Sequence, residues 1–267
     1  MYKIKVYKKG STFYHENYEL ISSNLHYEVF FRLDAENLIK ASKQEFAISV
    51  NEGYKRLCVI RTAPFNAIFI GDSDLAPILA DYLIDNRFVL TDFSAPKEVG
   101  IKLMDQFNKR HINCTLKICM NYMKCLNSNL TKDERVINAQ EKDLDEIFEL
   151  MNALCMESGI QNCETKEMIK NEIYKYRIIR NKNEIMAMSK ISDSTEKDYR
   201  ISDVYTRPLY RGEHLATSLV SSCVCEINER GRFATLSVDK NNPISSHIYY
   251  KIGFRKTFES GYFAIQK

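Results

Sequence analysis

The chain lacks any apolar stretch long enough to cross a bilayer. Its most hydrophobic runs, such as Cys58–Arg61 and Ala67–Gly71, are strand-sized and end at charges or turn residues. The basic start, Met1-Tyr-Lys-Ile-Lys-Val-Tyr-Lys-Lys9, has no apolar segment behind it and does not read as a secretory signal. An excess of one charge is missing too. With 38 Lys and Arg against 35 Asp and Glu, the net +3 gives no footprint for nucleic acid or another polyanion. No CxxC spacing marks a metal site, and Cys223 and Cys225 diverge on a helical pattern. The eight cysteines therefore read as reduced core residues of a cytoplasmic protein without metal, membrane or nucleic-acid partners. Internal repeats and low-complexity tracts are also absent.

What is present is an ordinary globular composition, 45% hydrophobic and 27% charged, over 267 residues. That length holds one large domain or two of usual size. The polar stretch Cys125–Glu134 separates two patterned regions and places domains at 1–130 and 131–267. In the first, apolar spacing predicts a helix from Phe13 to about Ser42, and strands at Phe46–Val50, Arg56–Arg61 and Asn66–Gly71. A helix over Asp74–Asn86, a strand at Phe88–Phe93, a helix over Pro96–His111 and a strand at Asn113–Met120 follow. The second region reads as strand Arg135–Gln140, helices Lys142–Leu154 and Glu164–Tyr174, and a meander of Tyr176–Arg180, Glu184–Ile191 and Tyr199–Thr206. Helix Gly212–Glu229, strand Phe233–Val238, helix Pro243–Ile252 and closing strands in Phe254–Gln266 complete it. The order is mixed α/β, with helices covering a sheet.

Two stretches carry chemistry. In Asp203-Val-Tyr-Thr-Arg-Pro-Leu-Tyr-Arg-Gly-Glu-His-Leu-Ala-Thr217 a strand ends, turns at Pro208 and feeds a helix start. Such a start carries unsatisfied N–H groups and partial positive charge, the means of cradling a diphosphate. Gly212 and Ala216 leave room for close backbone approach, and Arg211 adds charge. In the second stretch, strand Phe233–Val238 leads to Asn242, and Tyr249 lies two helical turns beyond it. A phenol, with a pKa of about 10, can protonate a departing thiolate of about 8.5. Packing between helix and sheet is the plainer role for that tyrosine.

Arg211-Gly-Glu-His-Leu-Ala216 resembles the acetyl-CoA signature of the GNAT superfamily, Gln/Arg-x-x-Gly-x-Gly/Ala, with His214 standing at the first signature glycine. Asn242-x6-Tyr249-x-Lys-x-Gly-Phe254 resembles that family's closing motif, in the family's order. The resemblance implies an α/β (α+β) GNAT fold: a central mixed, mostly antiparallel sheet flanked by helices. The pattern of the first region resembles two-domain bacterial members, whose degenerate GNAT-like N-terminal half frames the acceptor cleft.

For this chain the family implies acetyl-CoA as cosubstrate. Backbone groups of Val204 and Thr206 would bind its pantetheine arm, a backbone N–H near Tyr205 would polarise its thioester carbonyl, and the N–H groups of Arg211, Gly212, Glu213, His214, Leu215, Ala216 and Thr217 would hold its diphosphate. Asn242 would bind the arm or an ordered water, and Tyr249 would act as the acid. Asp198 is the candidate base, beside Glu196 and Asp203. The expected reaction is direct acetyl transfer to a small amine or amino-acid-like acceptor. Alternatives are transfer of a longer acyl group, as to glycine, and a CoA-binding module without catalysis. C-terminal edge strands make a homodimer available.

Overall fold

The computed structural model describes residues 1–127, 129–159 and 163–266, with Asp193 described by its backbone alone. Two compact units are present. The first comprises Met1–Tyr122, Asp239–Asn241 and Phe258–Lys267; the second comprises Met123–Val238 and Asn242–Thr257. Among the described residues there are twelve strands, mixed in direction and mostly antiparallel, covered by helices.

The first unit runs β1 (Lys3–Tyr7), α1 (Gly10–Glu16), α2 (Tyr18–Ser22), α3 (Leu25–Asn37), β2 (Phe46–Glu52), β3 (Lys55–Arg61), β4 (Ala67–Gly71) and α4 (Ala76–Asp85). It continues through β5 (Asp92–Pro96), α5 (Lys97–Lys109) and most of β6 (Cys114–Cys125), and takes in the end of β12 (Phe254–Ile265). Neighbours β1 to β4 pair antiparallel, β4 and β5 parallel, and β12 closes antiparallel on β5 through Ser260–Ala264. Side chains alternate across the sheet. Phe46, Ile48 and Val50 pack with Leu79 of α4 and Leu103 of α5, whereas Ala47, Cys58 and Ile60 pack with Phe13, Ile21 and Phe31 of α1–α3. Both faces are covered, which is why these strands are apolar almost throughout.

The helix expected over Phe13–Ser42 is three helices. The Asn17 side chain turns back to donate to the Phe13 carbonyl at 2.7 Å, and the Asn24 side chain accepts from His26 N–H to start α3 afresh. The strand expected at Phe88–Phe93 lies at Asp92–Pro96, because Phe88 N–H still closes the turn after α4 on the Leu83 carbonyl.

The second unit contains β7 (Val136–Asn138), α6 (Leu144–Ser158), α7 (Lys166–Asn171), β8 (Tyr176–Arg180), β9 (Ile185–Asp193), β10 (Asp198–Thr206), α8 (Leu215–Glu229), β11 (Phe233–Asp239) and α9 (Pro243–Ile252). β7–β8, β8–β9 and β9–β10 are antiparallel, and β10–β11 is parallel. Adjacent residues again serve opposite faces. Ile178 and Met188 pack with Ile147 and Leu150 of α6, while Ile179 and Ala187 pack with Leu215 and Leu219 of α8. Cys155 and Cys163, 6.2 Å apart at Cα, form a disulfide, which corrects the expectation of thiols throughout; Cys223 and Cys225 are free and buried. No helix among the described residues is long and apolar enough to cross a membrane.

Candidate active site

β10 begins as an ordinary inner strand and then leaves one neighbour. Its parallel rungs to β11 run from Asp198↔Phe233 to Arg200↔Thr235, while its antiparallel rungs to β9 continue to Thr206↔Ala187. The register shifts between Ser202 and Tyr205, and Asp203 sits there at φ 54°, a bulge that turns the strand. Val204, Tyr205 and Thr206 thus lie beyond the last rung to β11. Thr206 Oγ1 is buried there with no hydrogen-bond partner among the described residues. A buried hydroxyl left unpaired is costly, and an occupant of the gap would relieve it.

After a 3-10 turn at Pro208–Tyr210 the chain reaches the start of α8. Gly212 has φ 88° and His214 φ 58°, so the histidine adopts the left-handed conformation a glycine would take, with its side chain exposed. The side chain of His214, the N-cap residue, makes no capping hydrogen bond to α8 among the described residues. The N–H groups of Leu215, Ala216 and Thr217 are those a helix leaves without an internal acceptor. Leu215 is buried under the helix; Glu213 is exposed. Arg211 is held aside: its Nη2 meets Glu157 at 2.7 Å, its Nε donates to the Thr206 carbonyl at 3.1 Å, and it lies over the Tyr205 ring. Glu157 also accepts from the Tyr205 hydroxyl at 2.6 Å. Its place on α6, far away in sequence, hid that role.

Tyr249, 8% exposed, packs in a cluster with Val238, Ile252 and Phe254, whose ring it meets edge-on at 5.9 Å. Burial pushes its phenol up to about 12. Tyr250 of the same helix is exposed. Asn242 is the cap of α9: its Oδ1 accepts from Ser245 N–H at 3.0 Å, leaving its amide N–H₂ for another acceptor.

The carboxylates separate sharply. Asp198 is fully buried at the far end of β10, where Thr195 and Thr235 donate to its two oxygens at 2.6 and 2.8 Å. Its acceptors are occupied, and some eight residues of strand, roughly 26 Å, separate it from Thr206. The structure gives it a structural task in place of the base expected from sequence. Asp203 is at the bulge itself. Burial pushes its carboxyl up, partly offset by Lys190. Lys190, 3% exposed in the middle of β9, pairs with Glu164 at 2.5 Å and Glu172 at 2.8 Å. Burial would lower this ammonium, yet the two carboxylates win and hold it charged. The sequence did signal it: a lysine within Met186-Ala-Met-Ser-Lys-Ile191 interrupts a strand otherwise made for a core.

The site is therefore a mixed sheet in which one strand bulges away from its parallel neighbour and runs into a helix start whose N-cap side chain makes no capping bond. Residues 178–263, less than half of the chain, match the family described as FR47-like protein. A GNAT-family acetyltransferase from Colwellia psychrerythraea superposes with a TM-score of 0.63 at 11% identity, covering 99% of this chain and 100% of its own. A GCN5-related N-acetyltransferase from Sphaerobacter thermophilus gives 0.62 at 14% identity, covering 98% and 94%. A tandem GNAT protein from the clavulanic acid biosynthesis pathway gives 0.50 at 10%, covering 100% and 98%. Among curated proteins none matches. The chain has the fold of the GNAT superfamily, with an FR47-like C-terminal part.

Proposed function

We propose that the second unit transfers the acetyl group of acetyl-CoA directly to an amine acceptor. The observation that carries this reading is the departure of β10 from β11 immediately before an uncapped helix start. The thioester supplies an activated acetyl group; the chain supplies position and protons. Main-chain groups of Val204 and Thr206 take the pantetheine arm as an added strand, with the unpaired Thr206 hydroxyl beside it. N–H groups from His214 to Thr217 face the diphosphate. A main-chain N–H near Tyr205 polarises the reacting carbonyl.

Asp203, raised by burial and seated in the bulge, accepts the proton of the incoming ammonium. As the new C–N bond forms and the C–S bond breaks, Tyr249 protonates the departing thiolate, and its phenolate takes back the second proton that the nitrogen sheds on becoming an amide. With its phenol near 12, Tyr249 stays protonated across the working range. Holding both partners in one complex supplies much of the rate.

The test is thiol release from acetyl-CoA over a panel of amines, beside Tyr249→Phe. The variant is expected to lose roughly 10²–10³ in kcat and to bind CoA unchanged by calorimetry. Full activity in Tyr249→Phe removes the acid; no thiol release with any amine removes the reading.

A further inference from the structure

The first unit holds a cavity lined by none of the residues proposed for acyl transfer. It has a volume of about 460 Å³, within the size range of small-molecule sites. Tyr27, Phe30 and Leu33 of α3 line it with Phe65, Ile68 and Tyr122. Leu33 and Phe65 are 44% and 59% exposed, large apolar side chains left in water beside an apolar space. Asp34 also lines it and is only 5% exposed.

The two oxygens of that aspartate differ. Oδ1 accepts from the Thr62 hydroxyl, while Oδ2 is buried with no hydrogen-bond partner among the described residues. No ion pair offsets the charge there among the described residues, whereas the buried Lys190 has two carboxylates. A carboxylate sealed into an aromatic-walled space with one acceptor unused lacks a donor of positive charge.

We propose that this cavity binds a small organic ammonium ion, its apolar body against the aromatic wall and its N–H⁺ on Asp34 Oδ2. Aromatic faces attract a cation as well as an apolar body, so Tyr27, Phe30 and Tyr122 serve both ends of such a ligand. The site belongs to the first unit alone, and it stands whether or not the second unit proves to be an acetyltransferase.

The probes are 2-phenylethylamine, its neutral counterpart 2-phenylethanol and the anion phenylacetate, titrated into the full chain at pH 7.5 and followed by ligand-observed NMR. The amine is expected to bind at least tenfold more tightly than the alcohol, and phenylacetate not at all. Asp34→Asn, which keeps an acceptor for Thr62, should abolish the preference for the amine. Leu33→Trp, at an exposed position, should weaken amine and alcohol alike by narrowing the cavity. Melting curves of both variants check that they fold. Equal binding of amine and alcohol, absence of binding by any probe, or an amine affinity unmoved by either variant overturns the proposal.

Discussion

The two units meet the same structural problem with opposite chemistry. In each, a strand that pairs in parallel with a later strand runs into a helix: β4 before α4, and β10 before α8. Ahead of α4, at the start of the 3-10 turn Ser73–Leu75 that leads into it, the Asp72 side chain accepts from Asp74 N–H at 2.9 Å. Asp74, gripped by Lys102 and then Lys55, has its carboxyl pulled down to about 2. The Asp72 carboxylate thus occupies the place an anion would take, and Asp74 adds negative charge beside it. Ahead of α8 there is no cap, and the residue before it is held left-handed. The same backbone motif carries a side-chain cap in one unit and none from its N-cap residue in the other, so under the proposed function the side chains at the helix start decide which is open to a diphosphate.

That contrast can be broken by moving the carboxylate. Ala216→Asp, in the first turn of α8, should weaken CoA binding on the order of 100-fold, the repulsion of like charges some 5 Å apart near a surface. The melting temperature should hold, since an acid suits a helix start; calorimetry with unchanged affinity would show that the diphosphate lies elsewhere.

A second contrast concerns buried charge: Lys190 is paired twice, while Asp34 has a single hydroxyl. Burial pushes Asp34 up to about 6 from its ordinary 3.8, with Thr62 pulling the other way. A raised folded-state pKa means that the stabilising effect of protonation is present below about pH 4 and is lost as pH rises through about 6. Asp34→Asn should therefore stabilise the protein at pH 7 by on the order of 2 kcal/mol. It should do nothing at pH 3.5, as read by denaturant titration at the two pH values.

A smaller effect is expected from Asp72→Ala, which removes a cap and should cost about 1 kcal/mol. CoA should still bind at one site per chain, because Asp74 remains. The appearance of a second site would mean that Asp72 alone closes the first unit. His214→Gly should change least, stabilising by about 0.5 kcal/mol as left-handed strain is relieved. It should alter CoA affinity less than about threefold, on the same half-kilocalorie scale. A large gain in affinity would show the imidazole to be an obstruction.

Local signals made much of this legible. Pro243 and Gly253 frame α9 as the sequence suggests, and β11 and the end of α8 fall at or within a residue of their expected places. The strand–turn–helix at 203–217 was readable because its turn residues and its helix period sit side by side. Features that depend on distant partners were not. Asp198 looks like a free carboxylate until Thr235 is brought across from β11. Glu157 is one acid among several on α6 until it meets Tyr205 and Arg211. β1 was hidden for another reason: Lys3-Ile4-Lys5-Val6 does alternate, but the strand is only five residues long and buries only Tyr7, too short a run to stand out.

The last strand has a bearing on how the protein comes to be made. Phe263, fully buried, belongs to the core of the first unit, and its β12 backbone completes that unit's sheet against Phe93. Residues Met1–Tyr122 therefore emerge from the ribosome with a bare sheet edge and a vacancy where an aromatic ring belongs. They close only once the end of β12 has been made. Chaperone demand should then fall on the nascent first unit, and removing Phe258–Lys267 should cripple that unit although most of it is synthesised earlier.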